Sequence, residues 1–242
     1  MSKQSRPLRS FGVIGGMGPA STIRFLDLII SKFRVGQAAT LNSDFPQITM
    51  YTIPQSDHMS LSPNQQILGS LRRAFEVFSS ADVSFVVVPC NTAHQFIPLH
   101  DPESEIRVLS ISSSVSESIM KLDRERRILY LATRQTQRSG IYGRVFAENH
   151  CKPILLGDAD QDMLDAIIRQ ANAGGRLEHL SDDLLGIIER YPSNQTVLFA
   201  CTELSLLVPF MKDFSVVDSL ESLAEATYLV SSGQRDLSAY SN

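Results

Sequence analysis

Two stretches of this chain repeat one another, and the repeat limits the possible folds more than any other feature. VVVPCNTAHQFIP (86–98) aligns on VLFACTELSLLVP (197–209). In each, an apolar β-rich run meets a proline or alanine and then a cysteine, Cys90 or Cys201. A threonine follows within two residues and a proline eight residues later. The spacing upstream repeats as well: the apolar run opening at Phe11 precedes Cys90 by 79 residues, and the run opening at Ile128 precedes Cys201 by 73. Order, spacing and cysteine together read as two similar halves, each offering one thiol at the same structural address.

Between these anchors strand and helix signals alternate. Short apolar runs at 11–14, 83–88, 127–131 and 196–199 have the continuous, β-branched character of strands covered on both faces. Further strands are expected at 47–53, 107–111, 153–156 and 216–217. Helical spacing runs through 20–33, 63–80, 113–122, 140–149, 161–170, 181–190 and 220–230. This alternation predicts an α/β fold: two similar three-layer half-domains with mostly parallel sheets, and an active site in the cleft between them. The expected division puts 1–115 with the C-terminal helix 220–242 in the first domain and 116–219 in the second. The polar tail after 230 is expected to fray.

Charge and composition exclude several classes of function. Twenty-two basic against 26 acidic residues give a net charge of −4, and the one tight basic cluster, 124–127, is interrupted by Glu125. Nucleic-acid binding needs a concentrated basic face, so no nucleic-acid partner is expected. The apolar run after the basic residues 1–10 ends at Gly15, too soon for a secretory signal, and no window suits a membrane span. The expected location is therefore the cytoplasm, with no membrane partner, where Cys90, Cys151 and Cys201 are thiols. Their spacing fits neither a disulfide framework nor a zinc site, and no metal is expected. No PLP lysine motif or P-loop is present. Gly15-Gly16-Met17-Gly18 is a poor match to the dinucleotide fingerprint, since Ser21 stands at the third glycine's step.

In open α/β sheets, ligands sit beyond the carboxyl ends of the strands. Residues 15–19, 90–92, 133 and 201–203 all fall there. A cysteine opening a helix at such a place is expected to feel the positive end of the helix dipole, which lowers a thiol pKa. The backbone amides of Asn91, Thr92 and Thr202 are expected to face the crevice and hold a carboxylate, and the side chains of Asn91, Thr92, Thr133 and Thr202 to add hydrogen bonds. Two thiols facing one carbon suit racemisation of a small amino-acid substrate, because one group removes a proton from one face while the other delivers a proton to the opposite face. Met17 is expected to shape the pocket floor. Gln55 and His58 lie in a loop that could cover it. Glu203 is open between orienting Thr202 or a thiol and plain packing, and His94 between substrate contact and local structure. Cys151 reads as a core thiol, Arg24, Arg72 and Arg73 as solvated helix faces, and the serines 112–114 as a capped helix start.

These residues resemble a known family. GGMGP (15–19), PCNTAH (89–94), LAT (131–133) with SGIY (139–142), and CTEL (201–204) are similar to the PLP-independent aspartate/glutamate racemases, in order along nearly the whole chain. The resemblance implies two α/β domains related by a pseudo-twofold, catalytic Cys90 and Cys201, no cofactor, a homodimer, and an acidic substrate: aspartate and/or glutamate, or a close analogue. It also has departures. Ala200 and Gln135 stand where the family usually has glycine. PQSDHM (54–59) replaces a segment that often carries a substrate-gripping arginine, with His58 near that position. The place of a frequent lysine falls near Arg169 or Asn172. Alternatives on the same architecture are hydantoin racemase-, maleate isomerase- or decarboxylase-like enzymes, in which one cysteine dominates, and a non-catalytic amino-acid sensor.

Overall fold

The computed structural model of the protein describes residues 7–54, 63–99, 106–122, 127–192 and 195–240. The first half runs β1 (Phe11–Gly15), α1 (Pro19–Gln37), β2 (Ile48–Thr52), α2 (Pro63–Ser80), β3 (Phe85–Val87), β4 (Val108–Leu109) and α3 (Ile111–Met120). The second runs β5 (Arg127–Leu131), α4 (Arg134–Ser139), α5 (Gly143–Glu148), β6 (Lys152–Ile154), α6 (Asp158–Asn172), α7 (Leu177–Ile188), β7 (Thr196–Phe199), β8 (Val216–Asp218) and α8 (Ser219–Ser231). Each half builds a four-stranded sheet, in the orders β2-β1-β3-β4 and β6-β5-β7-β8. Every pairing is parallel, with Phe11 beside Phe85 in one sheet and Ile128 beside Thr196 in the other. The internal repeat of the sequence is thus a repeat of topology, strand for strand.

The apolar strands are covered on both faces, as their composition implies. Successive side chains of a strand point to opposite sides. Phe11, Val13, Phe85 and Val87 join a core with α1 and α8, while Ile14, Val86 and Val88 join another with α2. In the second sheet Leu129, Leu131, Val197 and Phe199 pack on α6 and α7, and Ile128, Tyr130 and Leu198 face α3 and α5. The last helix of each half crosses to the other half. Val115 and Ile119 of α3 sit in the second sheet's core, and Leu220, Leu223 and Ala224 of α8 sit in the first sheet's core. This exchange ties the two sheets together through buried apolar area.

Three expectations from the sequence are corrected here. The helix expected over 140–149 is the shorter α5, and a further short helix that was not expected, α4, precedes it and ends at Gly140. Thr133 caps α4, its Oγ1 accepting from the Thr136 amide at 3.1 Å. The chain after α8 does not fray as far as Tyr240: Leu237 and Tyr240 are buried in the first half's core, and the Ser110 amide donates to the Tyr240 carbonyl at 3.0 Å. The Tyr240 hydroxyl also donates to Glu117 on α3. Ser110, two residues before the serines expected to cap, caps α3 by accepting from the Ser113 amide.

Docking of the tail gives a direct stability prediction. Tyr240→Ala removes a fully buried aromatic ring and is expected to cost about 3–5 kcal/mol. Chemical denaturation measures this as a lowered midpoint; an unchanged midpoint would mean that the tail adds nothing to the core.

Candidate active site

The strand order places one crevice in each half. In a sheet ordered 2-1-3-4 the connections leaving β1 and β3 depart to opposite faces, so the chain parts beyond their carboxyl ends. Residues 15–19 leave β1 and Cys90 follows β3; Thr133 leaves β5 and Cys201 follows β7. The two crevices open onto one cavity of about 510 Å³, lined from the first half by Gly16, Met17, Gly18, Pro54, Cys90, Asn91 and Thr92. The second half contributes Thr133, Cys201, Thr202 and Glu203. Every described residue that the sequence singled out as catalytic or substrate-binding therefore lines this cavity. Gln55 and His58 lie outside the described residues.

Local chemistry explains how these groups are held. Gly16 has φ of +93°, and a Cβ there would lie 2.5 Å from the Ile53 carbonyl oxygen, so only glycine lets the β1 loop pass β2. The Gly16 amide donates to Thr22 Oγ1 at 3.0 Å, and that hydroxyl donates to the Gly18 carbonyl at 2.8 Å, fixing the turn into α1. Asn91 is locked on both ends of its amide: the Tyr142 hydroxyl donates to its Oδ1, and its Nδ2 donates to Ser219 Oγ at 2.9 Å. Thr92 Oγ1 reaches across to the second half, 2.9 Å from Thr136 Oγ1 and 3.4 Å from Thr133 Oγ1. Hydroxyls from both halves thus meet at the cavity wall.

The thiol electrostatics reverse one expectation. Cys90 and Cys201 are 6% and 5% exposed. Each opens a 3₁₀ segment, Thr92–Leu99 or Thr202–Phe210, rather than an α-helix. Burial, followed by the Glu203 charge, pushes the Cys90 thiol up to about 12; the amides of Ala93 and Thr92, which point at its sulfur, oppose the shift. Burial also raises the Cys201 thiol well above its ordinary value, with the Glu203 charge and its hydrogen bond adding to the effect. Desolvation and a nearby anion outweigh any dipole of a short 3₁₀ turn. The Thr92 amide serves the sulfur.

Glu203 ties the halves together. Its Oε1 accepts from the Gly18 amide at 3.1 Å and from Ser21 Oγ at 3.3 Å, both in the first half. Its Oε2 accepts from Cys201 Sγ at 3.1 Å and Thr202 Oγ1 at 3.3 Å. His94 resolves to local structure: Nδ1 lies 2.9 Å from the Cys90 carbonyl, and Nε2 accepts from the Ile111 amide at 3.2 Å. Burial lowers its pKa to about 4, which keeps the ring neutral. Cys151 is buried in the second half's core, away from the cavity.

Part of the second wall was missed by motif reading. Arg134, Gln135, Asp165, Ile168, Arg169 and Asn172 also line the cavity, from α4 and α6. The Arg134 guanidinium is held by Asp165 at 2.6 Å and Asp162 at 2.8 Å. Arg169 has no carboxylate partner among the described residues. A Cβ on Gly18 would strike Asn172 Oδ1, so α6 closes directly on the β1 turn. For Asn172 and Arg169 the only sequence signal was the departure at the family's lysine position.

Among the described residues no group of histidine, cysteine and acidic side chains could hold a metal ion, and no helix is long and apolar enough to cross a membrane. Comparison with known proteins gives a consistent picture. A family model described as Asp/Glu/Hydantoin racemase matches residues 14–227. The broad specificity amino-acid racemase RacX of Bacillus subtilis (strain 168) is 23% identical over 220 residues, spanning 89% of this chain and 95% of that protein. The aspartate racemase of Picrophilus torridus superposes with a TM-score of 0.77 at 22% identity, covering 96% of this chain and 99% of its own. An aspartate racemase homologue from Pyrococcus horikoshii OT3 gives a TM-score of 0.75 at 23% identity, with 93% and 100% covered.

A pH prediction follows from the group behind Asn91. Asp218 caps α8 by accepting from the Leu220 amide at 3.0 Å, and it accepts from Ser205 Oγ at 2.5 Å. Burial pushes its carboxyl from 3.8 up to about 6, against those hydrogen bonds. A carboxyl raised on folding binds its extra proton only in the folded state, so stability falls as pH rises through that window. Asp218→Asn keeps a good cap and is expected to be more stable than the wild type at pH 7.5, by up to about 3 kcal/mol. The advantage should vanish below about pH 4, where the unfolded carboxyl is protonated too. Urea titrations at both pH values measure this; equal destabilisation at both would contradict it.

Proposed function

This chain belongs to the Asp/Glu/Hydantoin racemase family, and on that premise we propose that it racemises an acidic amino acid by passing protons between Cys90 and Cys201. Membership makes it an enzyme, an amino-acid racemase of the PLP-independent kind. One observation carries the proposed mechanism: Cys90 and Cys201 follow equivalent strands of two identically ordered sheets and line one cavity from opposite halves. A substrate carbon held between them would present one face to each sulfur.

The chemistry then runs as a relay. Cys90 as thiolate takes the Cα proton while the Cys201 thiol delivers its own proton to the opposite face. Cys90 ends as thiol and Cys201 as thiolate, and the reverse reaction or exchange with solvent resets the pair. Both thiols are raised by burial, so the reactive thiolate forms by releasing its proton to solvent as substrate binds. The substrate's ammonium supplies a positive charge within the same low-dielectric space, which favours the anion. Charge developing on the substrate carboxylate needs donors already in place; the Thr202 hydroxyl is committed to Glu203 and the Thr133 hydroxyl to Thr136, which leaves the Thr92 hydroxyl as the candidate of the three. Met17, Pro54 and Ile168 form apolar wall that keeps water from the carbanion. The domain division given above, a homodimer and a cytoplasmic location belong to the same proposal; the homodimer rests on the family resemblance, the other two on the sequence pattern.

Substrate choice turns on Arg169. Arg134 is neutralised by two aspartates, which among the described residues leaves Arg169 as the cavity-lining cation to meet a side-chain carboxylate. The breadth in the Bacillus relative's name would suit a pocket in which that contact helps without being essential.

Two outcomes are expected. Cys90→Ala and Cys201→Ala should each lower racemisation of both enantiomers by about 10²-fold or more, since each removes one of the two proton-transfer groups. Circular-dichroism assays with each enantiomer of aspartate and glutamate measure this; a single variant that keeps wild-type rates ends the two-thiol reading. Arg169→Met should raise KM for aspartate and glutamate about tenfold, the value of a charge-assisted hydrogen bond, and leave KM for a neutral amino acid unchanged. Equal effects on both substrate types would remove Arg169 from side-chain recognition.

A further inference from the structure

The two thiols occupy equivalent addresses, but their surroundings are not equivalent. Two residues after Cys90 the first half has Thr92; two residues after Cys201 the second half has Glu203. Thr92 turns its hydroxyl to Thr136 and Thr133, and its amide, with that of Ala93, points at the Cys90 sulfur. Glu203 likewise points its amide at the Cys201 sulfur, but it adds a carboxylate oxygen to that sulfur at 3.1 Å, where the thiol donates. The pseudo-symmetry is broken at the one place where it changes how a sulfur holds its proton.

We propose that Glu203 is a positioning residue that keeps Cys201 as a thiol between turnovers, so that the resting pair is asymmetric and Cys90 is the member that deprotonates first. The inference rests on the two-thiol reading above and deepens it. Donors converge on Glu203 from Gly18, Thr202 and Cys201, and Ser21 shares its one hydroxyl hydrogen between Oε1 and the Gly18 carbonyl. That pattern suits an ionised carboxylate, which only accepts. Such an anion beside a thiol favours the protonated sulfur, by charge and by accepting its hydrogen.

The carboxylate is held in place by the other half. Gly18 and Ser21, at the start of α1, fix Oε1 and leave Oε2 aimed at the sulfur. A Cβ at Gly18 would stand 3.0 Å from Oε1, so the bare glycine is what allows the approach. Closure of the two halves and the protonation of Cys201 are therefore linked through one side chain. The other ionisable groups around the thiol are Cys90 across the cavity, Tyr142 behind it, and Arg134, Asp165 and Arg169 on the α4 and α6 wall. Of these, Glu203 alone hydrogen-bonds the Cys201 sulfur by its side chain.

In the relay, Cys201 gives up its proton and is left as a thiolate beside the Glu203 anion. That state is less favourable than the resting one, so Cys201 should recover its proton from solvent or from the next substrate faster than Cys90 loses its own. The two enantiomers then meet different forms of the enzyme. With an overall equilibrium constant of one, their kcat/KM values stay equal, while kcat and KM shift together between the two directions.

The test is peptide-resolved iodoacetamide labelling of the intact protein from pH 6.5 to 10, comparing wild type with Glu203→Gln and Glu203→Asp. Labelling reads the thiolate fraction. Glu203→Gln is expected to speed alkylation of Cys201 about tenfold at pH 8, the effect of lowering a thiol pKa by one. Cys90 should change less, Cys151 should stay constant, and Glu203→Asp should fall between wild type and Glu203→Gln. Kinetics in both directions should show the kcat difference between enantiomers shrinking in Glu203→Gln. An unchanged Cys201 labelling curve overturns the proposal, and so does a parallel rise at all three cysteines, which would report a loosened fold. If Glu203→Gln does not fold, the Glu203→Asp curve decides by the same criteria. Lack of racemisation by the wild type would sink the two-thiol reading alone, because labelling reads the hold of Glu203 on Cys201 without any turnover.

Discussion

The strand order of the two sheets is the constraint on which the site depends. A parallel sheet ordered 2-1-3-4 must send the chain away to opposite faces after its first and third strands, and the gap left between those departures is unavoidable. Here it occurs twice, at β1/β3 and β5/β7. Each gap is floored by a strand end that delivers a cysteine. The exchanged helices α3 and α8 then hold the gaps against each other, because each is buried in the other half's core. No loop has to be specially shaped to bring Cys90 and Cys201 to one cavity; the duplication of a topology does so.

Placing a thiol in such a cavity has a cost that the structure makes visible. Burial raises both sulfurs, and the neighbouring anion raises them further. A site arranged only for stable thiolates would surround them with cations. This one surrounds them with amides, hydroxyls and one carboxylate, and it keeps its arginines on the α4 and α6 wall. That arrangement suits a reaction in which the same sulfur must give and take a proton, since a thiolate that is too stable is a poor base. Glu203 adds direction to an otherwise symmetric pair.

Much of this was legible in the sequence, for identifiable reasons. The repeat 86–98 on 197–209 carried the two-half fold, because strand, cysteine and proline spacing all follow from one topology. Sites at strand ends could be named, because their place follows from that topology. Short-range reading failed where tertiary contact decides. RQTQRS of α4 has no apolar period, and its sign in the sequence was the Thr133 cap. Leu237 and Tyr240 are isolated apolar residues in a polar tail, with nothing local to say that a core receives them. The expectation of lowered thiol pKa values came from a local dipole, whereas the larger effects were burial and a carboxylate whose position depends on Gly18 and Ser21, more than 180 residues away. Arg169 and Asn172 reach the cavity only because α6 packs across the β1 turn.

The central claim is that two groups on opposite faces of one carbon carry the proton. Early turnover in deuterium oxide, started from a single enantiomer and followed by mass spectrometry of both separated enantiomers, tests it most directly. Two thiols of different origin predict deuterium in the product enantiomer from the first turnovers, with the recovered substrate still carrying hydrogen. Hydrogen retained in the product, or deuterium entering substrate and product at equal initial rates, would mean that one base serves both faces and would contradict the account.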